Sequence, residues 1–220
     1  MLRNLILTIL IVQNIYGQDY FEGEILYNVT YESLDQNISS SILEREMGKS
    51  FSAYIKEDKY QLFYDAKGKL GWIKVSVFLN EGYTLTEYEK SDTLIKSPFG
   101  SQKEKLIDFK VISSNQKEVL GKMCKSILIH YESLNENSFF KEFRGTYYYY
   151  DEYKLNPKLY EKYTDGFWNL YVKESESVSL RNETEFLPFF RAIQEAVKIT
   201  PKKIPDTIFN SNPNKYLLIE

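Results

Sequence analysis

The chain has 220 residues, enough for one domain with a substantial hydrophobic core rather than two small domains. Its 28 Lys and Arg against 31 Asp and Glu give a formal net charge of −3, so it lacks the basic surface that binding to nucleic acid requires. One cysteine and one histidine exclude an intramolecular disulfide and two-histidine metal motifs within a single chain.

The first 17 residues have the order of a secretory signal peptide. Arg3 precedes an apolar run from Leu5 to Val12, and a short polar stretch leads to the small residue Gly17. The run is well short of the ~20 residues that a membrane span needs. We therefore predict cleavage after Gly17, no transmembrane segment in the product, and a mature domain of residues 18–220 that is periplasmic or secreted.

Alternation of apolar and polar residues, typical of half-buried strands, recurs along the mature chain. In residues 21–31, Tyr27, Val29 and Tyr31 share one side, while Glu24 and Asn28 lie on the other. Turns containing glycine separate several of these segments. Further strands are predicted at residues 51–56, 59–65, 70–79, 83–89, 107–113, 126–134, 143–151 and 167–173.

Two short helices are predicted from their caps. Ser41 is placed to cap a helix of about two turns that stops at Gly48. Asn156 offers a second side-chain cap, and Pro157 fits the first helical position, where its missing amide costs nothing. This second helix is expected to run to about Tyr163.

The order of elements predicts a mainly β fold. We expect a curved antiparallel sheet or half-barrel of roughly eight to eleven strands, with the two short helices on its concave side. Residues 186–200 fit either a helix or a strand, because Phe189, Ile193 and Val197 repeat at helical spacing while Ile193, Val197 and Ile199 also alternate. We favour a strand.

The sequence predicts no catalytic residues, no metal and no cofactor. It lacks the Gly-x-Ser-x-Gly, His-Glu-x-x-His and Gly-x-Gly-x-x-Gly motifs. Cys124, in an apolar segment beside Ile127, is interpreted as an inert structural thiol, and His130, which shares a side with Glu132, as a surface strand residue. A glycosidase-type carboxylate pair stays open, since spatial separation is invisible in sequence, but we expect the protein not to be an enzyme.

Four segments carry a family resemblance: EGEILY at 22–27, VLGKMCK at 119–125, LNPKLY at 155–160 and ITPKKIPDTIF at 199–209. In this order the chain resembles exported bacterial proteins related to the GLPGLI-type family, which are predicted to share the curved sheet of LolA-like lipoprotein carriers. The resemblance implies a Gram-negative envelope or secreted location and that fold. It implies no reaction.

Aromatic residues make up 16% of the chain, with 19 Tyr, 14 Phe and two Trp. They favour strands for packing reasons alone, so a filled core is the simpler interpretation, and a ligand groove is the alternative. If the concave face is a groove, neighbouring strands would supply its apolar residues and the two tryptophans its rim. The candidate ligand-binding residues are Trp72, Ile73, Val75, Val77, Leu79, Ile127, Ile129, Tyr131 and Trp168.

Two functional hypotheses follow. The first is a binding or carrier protein that holds a lipid or another hydrophobic small molecule, such as an acyl chain, between sheet and helices. The alternative is an envelope or secreted interaction module with a packed core, whose partner is another protein. A pocket of roughly 300–1,000 Å³ would distinguish the first from the second.

Overall fold

The structure, a computed structural model, describes residues 20–220. The predicted signal peptide, residues 1–17, and its cleavage after Gly17 lie outside the described residues. The helices are α1 (Ser40–Met47), α2 (Pro157–Tyr160) and α3 (Trp168–Ser175), with 3-10 turns at Asp165–Phe167 and Asp206–Phe209. The strands are β1 (Gly23–Ser33), β2 (Ser50–Ile55), β3 (Lys59–Tyr64), β4 (Ile73–Phe78), β5 (Tyr83–Tyr88), β6 (Thr93–Pro98), β7 (Glu104–Val119), β8 (Lys122–Ser133), β9 (Glu142–Lys154), β10 (Ser177–Leu187), β11 (Phe190–Pro201) and β12 (Tyr216–Ile219).

The twelve strands of residues 20–220 belong to one sheet, in the order β12-β6-β5-β4-β3-β2-β1-β11-β10-β9-β8-β7. Every pairing is antiparallel except that of β12 with β6. Strands β1–β6, the N-terminal arm, and β7–β11, the C-terminal arm, are each consecutive in sequence. They join where β1 pairs with β11, from Gly23 opposite Pro201 to Ser33 opposite Phe190. The predicted mainly β, curved antiparallel half-barrel is confirmed.

Strand alternation gives the sheet an inner face and an outer face. In β1, Ile25, Tyr27, Val29 and Tyr31 are buried on the inner face, while Asn28 points outward and is exposed. The inner face continues into β2, where the Phe51 ring stacks on Tyr27 with ring centres 4.5 Å apart. This alternation was the clearest signal in the sequence because one side of the strand is packed and the other is solvated.

Several predicted elements need correction. Strands β6, β10 and β12 were not predicted. The segment 167–173, predicted as a strand, is mostly helix α3, because Trp168, Tyr171 and Val172 share one side at helical spacing and the last two are fully buried. The ambiguous segment 186–200 is strand from Phe190 onward, as favoured, and is preceded by a turn after β10.

The helix caps were largely predictable. The cap of α1 is Ser39 and not Ser41, since the Ser39 hydroxyl accepts a 3.3 Å hydrogen bond from the Ile42 amide. Gly48 ends this helix at φ 91°, as predicted. Asn156 caps α2 by accepting from the Lys158 amide at 3.2 Å, although the helix ends at Tyr160 rather than Tyr163.

The segment after β11 returns along the outer face of the N-terminal arm. Asp206 pairs with the Lys56 ammonium at 2.8 Å, and Lys74 donates to the Asn210 carbonyl at 2.9 Å. Lys215 then reaches Glu87 of β5, and β12 adds to the sheet edge. Among residues 20–220, no helix combines the length and apolar character needed to cross a bilayer.

Candidate functional site

A cavity of about 290 Å³ lies on the inner face, between the two arms. Strands of both arms form its walls, and residues from 155 to 168 cover it. This volume falls at the lower limit of the roughly 300–1,000 Å³ found for small-molecule pockets.

The N-terminal arm supplies a mixed wall, in which an aliphatic row is flanked by aromatic residues. Ala53 lies opposite Leu62, and Leu62 lies opposite Val75, so one row of side chains crosses β2, β3 and β4. All three line the cavity, together with Ile55 and Phe51. Ala53 has the smallest side chain of this row. The larger residues of the row, Leu62 and Val75, stand on the strands β3 and β4, so space remains above Ala53.

The C-terminal arm supplies an aromatic wall. Tyr131 stacks on Phe143 with ring centres 4.8 Å apart, and Phe143 meets Phe186 edge-on at 5.6 Å. Tyr147 also lines the cavity, and its ring lies over Gly145, where an added Cβ would come within 2.5 Å of it. A glycine at this strand position therefore makes space for the Tyr147 ring.

The helical cover consists of residues 155–175. Its Tyr163 accepts a 3.3 Å hydrogen bond from the Tyr60 hydroxyl across the cavity, and Trp168 packs edge-on against Tyr147 at 5.6 Å. Two carboxylates fasten this cover to the sheet. Glu104 accepts from the Gly166 amide at 2.7 Å, and Asp165 accepts from the amide of residue 100 at 3.1 Å.

A polar patch interrupts the apolar walls on β10 and β11. It is formed by Ser179, Asn182, Thr184 and Gln194. Asn182 lies directly opposite Gln194 and donates to its side-chain oxygen at 3.1 Å. Ser179 contacts the Asn182 side-chain oxygen through its hydroxyl. The patch thus offers neutral hydrogen-bonding groups inside an otherwise apolar space.

The cavity walls are uncharged. Within the described part of the chain, the lining residues include no Asp, Glu, Lys, Arg or His. Burial raises the pKa of the Tyr163 hydroxyl to about 12 and holds those of Tyr60 and Tyr64 far above their usual range, so all three stay protonated at neutral pH. The tyrosines therefore act as neutral donors and acceptors.

Two carboxyl groups lie near Tyr131 at one end of the cavity. Burial raises the pKa of Glu104 and that of Asp165, and the charge of Asp165 adds to the rise at Glu104. Burial also raises the pKa of Tyr131, with neighbouring tyrosines, Glu104 and Asp165 adding to the effect. The end of the cavity beside Tyr131 is therefore unfavourable for an anion.

Three of the nine predicted ligand-binding residues line the cavity: Val75, Tyr131 and Trp168. Ile73 and Val77 stand on the same face of β4 as Val75, to either side of it. They are not among the cavity-lining residues.

The other four predicted residues lie elsewhere. Ile127 and Ile129 are fully buried on the inner face of β8, and Leu79 is buried just after β4. Trp72 points to the outer face, with its ring 5.7 Å from Phe63 and within 5.9 Å of the Lys74 ammonium. It is therefore part of the packing beneath the C-terminal segment.

Sequence reasoning missed the polar patch and the tyrosines of the helical cover. Asn182 and Thr184 belong to β10, which was not predicted, and Gln194 was not distinguished within β11. The available signal was the alternation of Asn182, Thr184 and Phe186 two residues apart. Neutral polar residues at such spacing are typical of the solvent-exposed face of a strand, so the sequence did not predict that they line a cavity.

Cys124 and His130 show no active-site geometry. Cys124 is fully buried on the outer side of β8, and burial raises the pKa of its thiol to about 11. The His130 Nε2 lies 2.7 Å from a Glu142 carboxylate oxygen. Among the residues that the structure describes, no group of three or more His, Cys, Asp or Glu side chains could hold a metal ion.

Comparison with known proteins gives little beyond structural likeness. No protein-family model and no curated protein matches the chain, so membership of the GLPGLI-type family stays a prediction. An uncharacterized conserved protein from Thermus thermophilus is similar with a TM-score of 0.46 and 9% identity, covering 90% of this chain and 91% of that one. A LolA superfamily protein from Nitrosomonas europaea is similar with a TM-score of 0.38 and 6% identity, covering 87% and 90%. Likeness at this level identifies no function.

Proposed function

We propose that this protein is a non-enzymatic binding or carrier protein that holds a hydrophobic ligand, such as an acyl chain, in the inner-face cavity. The observation that carries the proposal is the cavity itself, which separates the aliphatic row at Ala53 and Leu62 from the aromatic wall at Phe143 and Phe186. A module whose only task was protein contact would gain stability by filling this space, because unfilled apolar volume costs packing energy.

The energetics favour a mostly apolar occupant. Each Å² of ligand surface taken from water contributes roughly 25 cal/mol, so about 250 Å² would supply on the order of 6 kcal/mol before the entropy of association is subtracted. The walls stand on paired strands, which hold the space open without a ligand. A preformed site loses less conformational entropy on binding.

Blocking the aliphatic row tests this function. The uncharged fluorescent probe N-phenyl-1-naphthylamine should bind the wild-type protein, and Val75→Trp should weaken that binding at least about tenfold, or roughly 1.4 kcal/mol. Val111→Trp is the matched control, since Val111 is exposed on β7 and does not line the cavity. Absence of probe binding to the wild type, or equal loss in both variants, would refute the proposal.

The physiological occupant requires protein from its native source. Native mass spectrometry of that material, followed by lipid extraction, should show a bound small molecule released on denaturation. A ligand-free spectrum together with a crystal structure in which side chains fill the cavity would leave the carrier hypothesis without support.

Export to the periplasm or the medium is part of the proposal and rests on the sequence of residues 1–17. Mass analysis of exported protein should find Gln18 as the first residue. Exported protein that begins at Met1 would contradict cleavage after Gly17.

An envelope interaction module is the second candidate. The observation in its favour is β12, an edge strand with all four side chains exposed, among them Tyr216 at 75% and Leu217 at 56%. Exposed apolar edges are surfaces on which another strand can pair. If this strand pairs with a second copy of the chain, light scattering should show association that Leu217→Lys abolishes. A monomer that is insensitive to the change would exclude self-association through β12.

A further inference from the structure

The polar patch has an incomplete set of hydrogen bonds. The Asn182 amide donates to Gln194, the Asn182 oxygen meets the Ser179 hydroxyl, and Thr184 shares a hydrogen bond with the Tyr147 hydroxyl. The Gln194 side-chain nitrogen, in contrast, donates to no protein group among the described residues. Because Gln194 lines the cavity, its two N–H groups are available to an occupant.

An occupant that accepts a hydrogen bond would complete this set. Once an occupant displaces water from the cavity, an amide donor left unpaired costs on the order of 1–3 kcal/mol, and an acceptor on the ligand avoids part of that cost. Carbonyl oxygens of esters and amides are suitable acceptors, since they are uncharged and can take two hydrogen bonds. Pure hydrocarbon would leave the Gln194 nitrogen without a partner.

The charges around the cavity disfavour an ionised head group. No lysine, arginine or histidine is among the lining residues, so a carboxylate placed on the patch would have no cationic partner. Two acidic groups, Glu104 and Asp165, lie near Tyr131 and hold backbone amides of the cover and the loop beside it. Burying an unpaired charge in such surroundings costs far more than burying a paired dipole.

The volume sets the size of the apolar part. About 290 Å³ is at the lower limit of the range for one small ligand, which fits a single chain and not a diacyl lipid. The patch on β10 and β11 and the aliphatic row of β2–β4 line the same cavity, on either side of β1 in the sheet. One end of a ligand can thus lie on polar groups while its chain lies along Ala53, Leu62 and Val75.

We infer that the ligand is an uncharged single-chain amphiphile whose carbonyl-bearing head group accepts a hydrogen bond from Gln194, in preference to an ionised fatty acid. This inference rests on the proposed function, because it names the class of ligand for the same cavity. Gln194 would distinguish uncharged carbonyl head groups from ionised carboxylates, and Asn182 holds the Gln194 amide in place through its hydrogen bond.

Matched probes test the head group directly. 1-Monolauroylglycerol and laurate carry the same acyl chain. The affinity of each is measured at pH 8 by displacement of bound N-phenyl-1-naphthylamine, at concentrations below the critical micelle concentration of the competing amphiphile. The uncharged ester should bind the wild type at least about fivefold more tightly, a difference of roughly 1 kcal/mol. A smaller ratio would overturn the inference, and this measurement needs no variant.

Gln194→Leu tests the residue. The change keeps similar volume and removes the donor, so the ratio of ester affinity to laurate affinity should fall at least about threefold. Gln61→Leu is the matched control, since Gln61 is buried on the outer face and bonds to Ser76. A preference unchanged in Gln194→Leu would remove Gln194 from the assignment.

The two proposals fail separately. If wild-type protein binds no hydrophobic probe, the carrier function itself is refuted. If the probe binds and Val75→Trp abolishes its binding, yet ester and laurate compete equally, the carrier function stands and only the head-group assignment is lost.

Discussion

On the outer face of the N-terminal arm, Glu87 lies 2.6 Å from the Lys74 ammonium and 3.5 Å from that of Lys215, and the three side chains are 3%, 15% and 7% exposed. The inner face of the same strands carries Leu62, Val75 and tyrosines around a cavity. The contrast recurs on the C-terminal arm, where outward-pointing Glu183 pairs with Lys117, Arg181 and Arg191, whereas its neighbour Asn182 faces the cavity.

This comparison separates polar groups that serve the fold from groups that are free to bind. Each buried carboxylate of the outer face has at least two cationic partners, so its charge is compensated within the protein. Among residues 20–220, those that line the inner-face cavity carry no charge, and the Gln194 amide nitrogen has no protein partner. Substitutions on the outer face should therefore change stability, and those on the inner face should change binding.

The largest effect is expected for Glu87→Gln. The change leaves Lys74 and Lys215 buried without a carboxylate, which costs roughly 3–5 kcal/mol when a partner of a buried ion pair is removed. Urea unfolding measures the loss. Asp206→Asn is the control, because Asp206 also pairs with two lysines but is largely exposed, and only a small change is expected there. A change of under about 1 kcal/mol in Glu87→Gln would show that water reaches this cluster.

Glu183→Gln should cost less, roughly 2–3 kcal/mol, because Lys117 and Arg191 are 38% and 31% exposed and can turn to solvent. Burial alone would raise the pKa of Glu183, but hydrogen bonds from Lys117 and Arg181 outweigh it and lower the pKa. The stability from Glu183 is therefore present above its unfolded pKa and is lost as pH falls through the lowered value. Stability measured against pH should fall less steeply with acid in Glu183→Gln than in the wild type.

Glu195→Gln is the control for the measurement of stability against pH. The change removes a single contact to Arg181 from a side chain that is 40% exposed, and only a small loss of stability is expected. If the fall in stability at low pH is the same in Glu183→Gln as in the wild type, carboxylates other than Glu183 cause the acid sensitivity.

Cys124→Ala should destabilise the protein by about 1–2 kcal/mol, as for other small truncations in a core. With a thiol pKa of about 11, roughly one molecule in ten thousand carries a thiolate at pH 7. A disulfide reagent should consequently label Cys124 only on unfolding. Labelling of native protein within seconds would show that the outer face opens at β8.

The smallest effect is expected for Glu104→Gln, beside the cavity. Since burial raises the pKa of Glu104 in the folded protein, its ionisation costs stability as pH rises through the raised value, the opposite sign to Glu183. The glutamine can still accept from the Gly166 amide. The variant should be slightly more stable than wild type at neutral pH, with no difference below the unfolded pKa. Lower stability at neutral pH would show that the charge of Glu104 is needed to hold the helical cover.

Local signals explain what the sequence could predict. Strand β1 could be predicted because Tyr27, Val29 and Tyr31 alternate with solvent-exposed residues. Helix α2 could be predicted because Asn156 and Pro157 specify a helix start regardless of the rest of the fold. Helix α3 was mistaken for a strand because burial of Tyr171 and Val172 on the inner face, a long-range effect, decides its conformation.

The cavity was not predictable for a related reason. Val75 and Tyr131 were chosen from the alternation of single strands, and both reach the cavity, yet Ile127 and Ile129 have the same alternation and are filled core. Which residues border a gap depends on the curvature of the whole sheet and on the pairing of β1 with β11. Neither property is encoded in a window of a few residues.

The pairing of β1 with β11 also has a temporal consequence. The ribosome makes Gly23 long before Pro201, its partner across the seam between the arms. Each arm can form from consecutive hairpins as it emerges, whereas the seam must wait for residues some 180 positions later, and contacts so distant in sequence form slowly. Until then the inner faces of both arms are open to water and vulnerable to aggregation. The cavity is complete only after this last closure.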